Sequence, residues 1–94
     1  MSEAYFKDKV ALITGASRGI GRAIAESLCL NGARVIANYN KSEKEVVSLV
    51  ESMQNKNFTI EALRADVTNG KEVEGMVDEI VKRYGRIDIL INSG

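Results

Sequence analysis

A glycine-rich turn between two apolar segments constrains this 94-residue sequence most strongly. Lys9–Ile13 predicts a buried strand, residues 14–21 (TGASRGIG) predict a turn, and Arg22–Leu28 predicts a helix. Such a turn gathers backbone N–H groups and the positive end of a helix dipole at one place, which suits it to bind phosphate. A tight turn without a ligand is the alternative for a glycine-rich string considered alone.

Each of the three glycines has an expected role. Gly15 lets the chain turn sharply off the strand, Gly19 lets a pyrophosphate approach the backbone, and Gly21 lets the helix pack closely on the sheet. The spacing is G-x-x-x-G-x-G. It therefore departs from the G-x-G-x-x-G dinucleotide fingerprint.

The remaining sequence alternates between predicted strands and helices. The expected strands are Lys9–Thr14, Ala33–Asn38, Thr59–Ala65 and Ile87–Ile91. The expected helices are Gly19–Leu30, one that starts at a Ser42–Glu45 capping box, and one between an Asn69 cap and Gly85. Right-handed crossovers favour an α/β fold with a partial Rossmann-type, doubly wound parallel sheet in the order 3-2-1-4. A ligand crevice is then expected at the carboxyl ends of strands one and four.

Three motifs in order resemble signatures of the short-chain dehydrogenase/reductase family, and most closely those of its 3-oxoacyl-acyl-carrier-protein reductases. They are residues 14–21, Asp66–Thr68 and Asp88–Gly94. The resemblance implies that residues 1–94 are the N-terminal part of a single dinucleotide-binding domain, truncated after strand four. In the family the catalytic serine and Tyr-x-x-x-Lys pair lie beyond that strand. The chain is therefore expected to lack them and to be inactive alone.

The activity implied by the resemblance is hydride transfer between NADPH and a carbonyl or alcohol substrate, with 3-oxoacyl-acyl-carrier-protein reduction as one candidate. The complete enzyme is expected to be a homo-oligomer. A non-catalytic nucleotide-binding module is the alternative function. A P-loop hydrolase is disfavoured, because no Lys-Ser/Thr pair follows the glycines.

The resemblance assigns cofactor contacts to residues at the carboxyl ends of the strands. The assigned residues are Gly15, Ala16, Ser17, Arg18, Gly19, Ile20, Gly21, Tyr39, Asn40, Asp66, Val67 and Asn92. Asp66 would hydrogen-bond the adenine amino group, Val67 would contact the ring through its backbone, and Asn92 would lie near the adenosine ribose. For Asp66 a turn-closing role is the alternative. Ser93 replaces the second asparagine of the family's Asn-Asn-Ala-Gly, which puts the sheet-bracing role of that position in doubt.

The end of strand two favours NADP(H) over NAD(H). An acidic residue there would hydrogen-bond the ribose 2′-OH of NAD and repel the 2′-phosphate of NADP. Here the sequence is Asn38–Ser42, with no carboxylate before Glu43. By family alignment Tyr39 takes the acidic position and Asn40 the next one. Arg18 adds a cation suited to a phosphate, although a solvated turn residue is its alternative interpretation.

Composition limits the other classes of function. Thirteen basic residues balance thirteen acidic ones, so no overall field favours nucleic acid or an anionic membrane. Cys29 is the only cysteine and the chain has no histidine, which excludes an internal disulfide and a Cys/His metal site. Cys29 is expected to be a packing residue, and a cytoplasmic location is the default expectation.

Overall fold

The computed structural model describes residues 5–17 and 19–93, and these alternate between strand and helix. The elements are β1 Val10–Thr14, α1 Gly19–Leu30, β2 Arg34–Tyr39, α2 Glu43–Gln54, β3 Ile60–Arg64, α3 Gly70–Tyr84 and β4 Ile89–Asn92. The strands pair in parallel in the order β3-β2-β1-β4. The predicted α/β class and strand order are confirmed.

The sheet lies between two helical layers. β1 is central, and all five of its residues are buried. Its alternate side chains enter different cores, since Ile13 packs with residues of α1 and α2, whereas Leu12 packs with Met76 and Ile80 of α3. A strand that is buried on both faces accounts for the continuous apolar run in the sequence.

The two predicted helix caps behave differently. The Asn69 side chain accepts hydrogen bonds from the backbone N–H groups of Lys71 and Glu72, at 3.0 and 3.3 Å. The capping box predicted at Ser42 is wrong, because its side chain makes no cap hydrogen bond. Asn69 has an extended backbone (φ −107°, ψ 110°), whereas Ser42 turns to ψ 56°. The Ser42 hydroxyl therefore accepts no hydrogen bond from the first N–H groups of α2, whereas the Ser42 backbone oxygen accepts one from the Val46 N–H.

Cys29 is a buried packing residue of α1. Burial, with a smaller contribution from nearby Glu26, raises the pKa of its thiol to about 11. A thiol that stays protonated at neutral pH is a poor nucleophile. The expected packing role is therefore confirmed.

The two edges of the sheet differ in polarity. On β3, Glu61 pairs with Arg83 and also accepts a 2.5 Å hydrogen bond from the Tyr84 hydroxyl. On β4, Leu90 is 64% exposed. Charged side chains thus accompany the β3 edge, whereas the β4 edge presents apolar ones.

Candidate functional site

An open cavity of about 600 Å³ lies where the carboxyl ends of the strands meet the following loops. Such a volume falls in the range of small-molecule sites. The lining residues come from the glycine turn, from the segments that follow β2 and β3, and from the end of β4. They are Gly15, Ser17, Asn38, Tyr39, Asn40, Lys41, Ser42, Ala65, Asp66, Val67, Thr68 and Ser93.

The glycine turn has the backbone that its sequence predicts. Gly15 and Gly19 have φ values of 63° and 64°, in the left-handed region that favours glycine. A Cβ added at Gly19 would meet no atom within 4 Å, so the backbone there is open to a close approach. At Gly21 a Cβ would overlap the Gly15 carbonyl oxygen and the Ser93 hydroxyl. Gly21 therefore allows the close packing of helix and sheet that was expected of it.

Ser93 braces the junction between β4 and the turn. Its hydroxyl donates to the Thr14 carbonyl oxygen at 2.6 Å, and its backbone N–H donates to the same oxygen at 3.3 Å. The serine at this position therefore braces the sheet, a role that the sequence had left in doubt. The short side chain also fits beside Gly21, where a longer one would be crowded.

The end of β2 is tied to the end of β3 by a buried amide. Asn38 is 2% exposed, and its side-chain nitrogen donates to the backbone oxygens of Leu63 and Ala65 at 3.3 and 3.1 Å. Its own backbone oxygen accepts from Ala16 in the glycine turn at 3.3 Å. Asn38 therefore links three segments of the cavity. Sequence analysis did not assign it this role.

Tyr39 is the last residue of β2, and its hydroxyl donates to the Glu43 carboxylate at 3.5 Å. In the sequence, Glu43 is the first carboxylate after β2. Because α2 begins at Glu43, that carboxylate comes close to the strand end. Lys41, an exposed cation between them in sequence, lines the cavity.

Asp66 follows β3 and closes a local turn. Its Oδ1 accepts from the hydroxyl and the backbone N–H of Thr68, at 2.7 and 2.9 Å. These two bonds, with weaker help from Arg64 and Lys41, lower the pKa of its carboxyl below the ordinary 3.8. Asp66 lines the cavity as an anion, with one oxygen engaged by the turn.

Two charged residues missed by sequence analysis connect the loops around the cavity. Arg64, the last residue of β3, donates to Asn40 and to Glu72 of α3. Glu72 also accepts from the backbone N–H of Asp66 at 3.0 Å. The sequence pointed to Glu72 only as part of the cap that begins at Asn69, and no motif points to Arg64. The available signal is the position of Arg64, two residues before Asp66.

Some of the expected cofactor residues do not line this cavity. Ala16 is buried, and Ile20 is 77% exposed on α1. Arg18 lies outside the described residues, so its expected contact stays a prediction. Gly19 and Gly21 are not lining residues either: Gly19 leaves open space beside the backbone, and Gly21 allows the helix to pack closely on the sheet.

Asn92 lines a second, smaller cavity rather than the one described above. This cavity of about 240 Å³ lies between β4 and α3 and is also lined by Thr14 and by Val67, which lines both cavities. The Asn92 Oδ1 accepts from the Thr14 hydroxyl at 2.8 Å. The structure therefore does not bring Asn92 together with Asp66 and Tyr39 in one cavity.

One Tyr-x-x-x-Lys spacing, Tyr5 to Lys9, was overlooked in the sequence analysis. The segment containing it hydrogen-bonds to Asn31 and Gly32 at the end of α1, and Tyr5 is 81% exposed. Because it precedes β1, it lies at the amino edge of the sheet, opposite the cavity. The spacing does not place a tyrosine–lysine pair at the site.

Residues 9–94 match the short chain dehydrogenase family. The chain belongs to this family. It is 42% identical over 86 residues to 3-oxoacyl-(acyl-carrier-protein) reductase FabG of Staphylococcus epidermidis, which covers 92% of this chain and 35% of that protein. The family match, over residues 9–94, includes the glycine turn and both of the later motifs.

Solved structures of family members share the fold. A dehydrogenase/reductase from Sinorhizobium meliloti 1021 superimposes with a TM-score of 0.90 at 35% identity, covering 97% of this chain and 36% of that one. A hydroxysteroid dehydrogenase from Escherichia coli gives a TM-score of 0.87 at 30% identity, with 95% and 37% covered. The chain thus spans about a third of the length of these relatives. Within residues 5–17 and 19–93, no helix has the length and apolar character to cross a membrane.

Proposed function

We propose that this chain is the NADP(H)-binding part of an oxidoreductase that transfers hydride between NADPH and a carbonyl or alcohol substrate. The observation that carries the proposal is the cavity where the glycine turn meets the loops after β2 and β3. In open parallel sheets, ligands bind outside the carboxyl ends of the strands, where the strand order reverses. Membership of an oxidoreductase family agrees with this assignment.

The residues of the site suit a dinucleotide. The open backbone at Gly19 leaves room for a pyrophosphate beside the start of α1. Asp66 is ionised and can accept a hydrogen bond from an adenine amino group through the oxygen that the turn leaves free. When bound, the nicotinamide cofactor supplies the hydride chemistry, and the residues of this chain bind and orient its adenosine end.

The charges near the end of β2 favour a 2′-phosphate. Lys41 is exposed in the cavity lining. Glu43, the first carboxylate after β2, accepts a hydrogen bond from the Tyr39 hydroxyl. Arg18 is a second candidate cation, on the strength of the sequence alone. We therefore favour NADP(H) over NAD(H).

The substrate and the full reaction belong to the proposal as well. By resemblance to the FabG relative, a 3-oxoacyl group linked to acyl-carrier protein is the candidate substrate. The catalytic serine and Tyr-x-x-x-Lys pair are expected in sequence that follows β4 in the complete enzyme. The 94 residues alone should therefore reduce no carbonyl compound with NADPH.

Calorimetric titration of the chain with 2′,5′-ADP and with 5′-ADP tests the cofactor assignment. We expect tighter binding of 2′,5′-ADP, and loss of most of that preference in Arg18→Ala, where a charge-assisted bond of roughly 1.5–3 kcal/mol is removed. Lys41→Gln should weaken 2′,5′-ADP by about threefold to tenfold and leave 5′-ADP nearly unchanged.

Lys56→Gln is the matched control, because Lys56 follows the far end of α2 and does not line the cavity. Equal affinity of the wild-type chain for both ligands would contradict the NADP assignment. Failure to bind either ligand would contradict the nucleotide-binding assignment as a whole.

A further inference from the structure

We propose that Arg64 and Glu72 form a clamp that joins the β2–α2 loop to the β3–α3 loop and presets the shape of the nucleotide cavity. The two residues are positioning residues, because they act through Asn40 and Asp66. The inference rests on the proposed function for its ligand, but the clamp itself can be measured without one.

Glu72 holds the β3–α3 loop from the first turn of α3. Its Oε1 accepts from Arg64 Nη1 at 2.9 Å and from the Asp66 backbone N–H at 3.0 Å. One carboxylate oxygen thus fixes both the end of β3 and the residue proposed to read adenine. Hydrogen bonds to a charged acceptor are stronger than neutral ones, so this junction restrains the loop effectively.

Arg64 carries the connection across to the neighbouring loop. Its Nη2 donates to the Asn40 side-chain oxygen at 2.7 Å, and its Nε donates to the Asn40 backbone oxygen at 3.4 Å. The planar guanidinium serves Asn40 and Glu72 at once, which the compact ammonium of lysine cannot do in the same geometry. Asn40 precedes Lys41, so the clamp also restrains the segment that carries this cation.

The clamp contributes to binding more than to fold stability. The Arg64 and Glu72 side chains are 52% and 36% exposed. Exposed ion pairs add little to folding free energy. Fixing two loops before the ligand arrives, by contrast, removes an entropic cost that binding would otherwise carry. Variants of the pair should therefore fold and yet bind more weakly.

The chain offers a matched control pair in Arg83 and Glu61. This pair also joins α3 to β3, and the Arg83 side chain is 47% exposed. It lies at the other end of α3, and neither residue lines the cavity. Arg83→Gln thus removes the same type of contact between the same two elements without touching the loops.

The first experiment measures backbone ¹⁵N order parameters of the ligand-free chain. In Arg64→Gln we expect the values at residues 40–42 and 66–68 to fall from about 0.85 to below about 0.6. In Arg83→Gln they should stay at the wild-type level. Unchanged order parameters in Arg64→Gln would overturn the clamp, whatever the chain binds.

The second experiment measures 2′,5′-ADP affinity. Arg64→Gln and Glu72→Ala should each weaken binding by about fivefold to tenfold, and the double variant by no more than the larger single effect. Arg64→Lys should behave like Arg64→Gln. Strict additivity, full rescue by lysine, or an equal loss in Arg83→Gln would overturn the proposal.

The two experiments separate the two proposals. If the wild-type chain binds no nucleotide while the loops loosen in Arg64→Gln, the proposed function fails and the clamp stands as a device that orders the loops. If the wild-type chain binds and Arg64→Gln binds equally well, the clamp fails and the proposed function stands.

Discussion

The same three-residue pattern, Arg-x-Asp, occurs at opposite edges of the sheet and forms two different structures. One copy, residues 64–66, begins at the last residue of β3, at the carboxyl edge of the sheet. The other, residues 86–88, lies directly before β4, at the amino edge. In both segments the pKa of the aspartate is lowered below its ordinary value. The contacts that lower it differ.

At the amino edge the aspartate closes the sheet. Asp88 Oδ2 accepts from the Val10 backbone N–H and from its own Arg86 Nε, both at 2.8 Å. The Val10 bond is the main reason for its low pKa, and Arg86 adds to it. Arg86 also donates to the Asp8 backbone oxygen at 3.1 Å. This edge joins β1 to β4 through direct contacts between segments that lie 78 positions apart in the sequence.

At the carboxyl edge the arginine and aspartate separate. Arg64 turns to Asn40 and Glu72, whereas Asp66 accepts from Thr68 in its own loop. At this edge the loops after β2 and β3 are therefore joined to each other and leave a cavity open between them. The difference shows that the end of the strand at which the pattern lies, more than the pattern itself, decides whether the aspartate ties two strands together or lines the cavity.

The largest effect on stability is expected at Gly21, where the glycine turn packs closely against the end of β4. Gly21→Ala would push a Cβ into the Gly15 carbonyl oxygen and the Ser93 hydroxyl. Since the first of these is backbone and cannot rotate away, the free energy of unfolding should fall by about 3 kcal/mol in urea denaturation.

The control for this substitution is Gly75→Ala in α3. A Cβ at Gly75 meets no atom within 4 Å, so this variant should gain about 0.5–1 kcal/mol from better helix propensity. Similar stability changes in the two variants would show that the turn is not tightly packed against the sheet.

The next effect compares the two aspartates directly. Asp88→Ala should lower the melting temperature by roughly 5 °C, because the Val10 N–H loses its acceptor, and should leave nucleotide affinity unchanged. Asp66→Ala should weaken 2′,5′-ADP by about tenfold with a smaller change in melting temperature. Thermal unfolding and calorimetric titration of both variants would check this. A loss of affinity in Asp88→Ala, or a larger fall in melting temperature in Asp66→Ala, would contradict the comparison.

The architecture followed from sequence because its signals are local and repeated. The buried run of β1, the Asn69 cap and the Gly85 stop each have one physical interpretation, and each is confirmed. Boundaries moved by up to two residues, as in β4, which begins at Ile89 rather than Ile87. There Asp88 is already committed to Val10 through both its backbone and its side chain.

The site was harder to predict because its contacts cross between segments distant in sequence. Arg64 reaches Asn40 over 24 positions, and Asn38 reaches Ala65 over 27. The predicted capping box at Ser42 failed because the residue pattern does not specify the backbone angle. Asn92 was assigned by motif to the same site as Asp66, yet its side chain lies with Thr14 in the other cavity.

A smaller effect distinguishes the two helix starts at the carboxyl edge. Asn69→Ala removes the acceptor for two backbone N–H groups and should cost about 1 kcal/mol of unfolding free energy. Ser42→Ala should change stability by less than about 0.5 kcal/mol, since Ser42 makes no side-chain cap bond. Urea denaturation of both variants measures the difference. If Ser42→Ala lowered the free energy of unfolding as much as Asn69→Ala does, Ser42 would be acting as a helix cap in solution.

The smallest effect concerns Tyr84, which closes the polar network on β3 away from the cavity. Partial burial, followed by the 2.5 Å bond to Glu61, raises the pKa of its hydroxyl from 10 to about 12. A raised pKa means that the folded chain holds this proton more tightly than the unfolded chain does. The stabilisation is therefore complete below pH 10 and is lost as the pH rises through 12.

The melting temperature of the wild type should accordingly fall more steeply than that of Tyr84→Phe across this interval. Parallel slopes for wild type and Tyr84→Phe would mean that the Tyr84–Glu61 bond does not distinguish the folded from the unfolded chain.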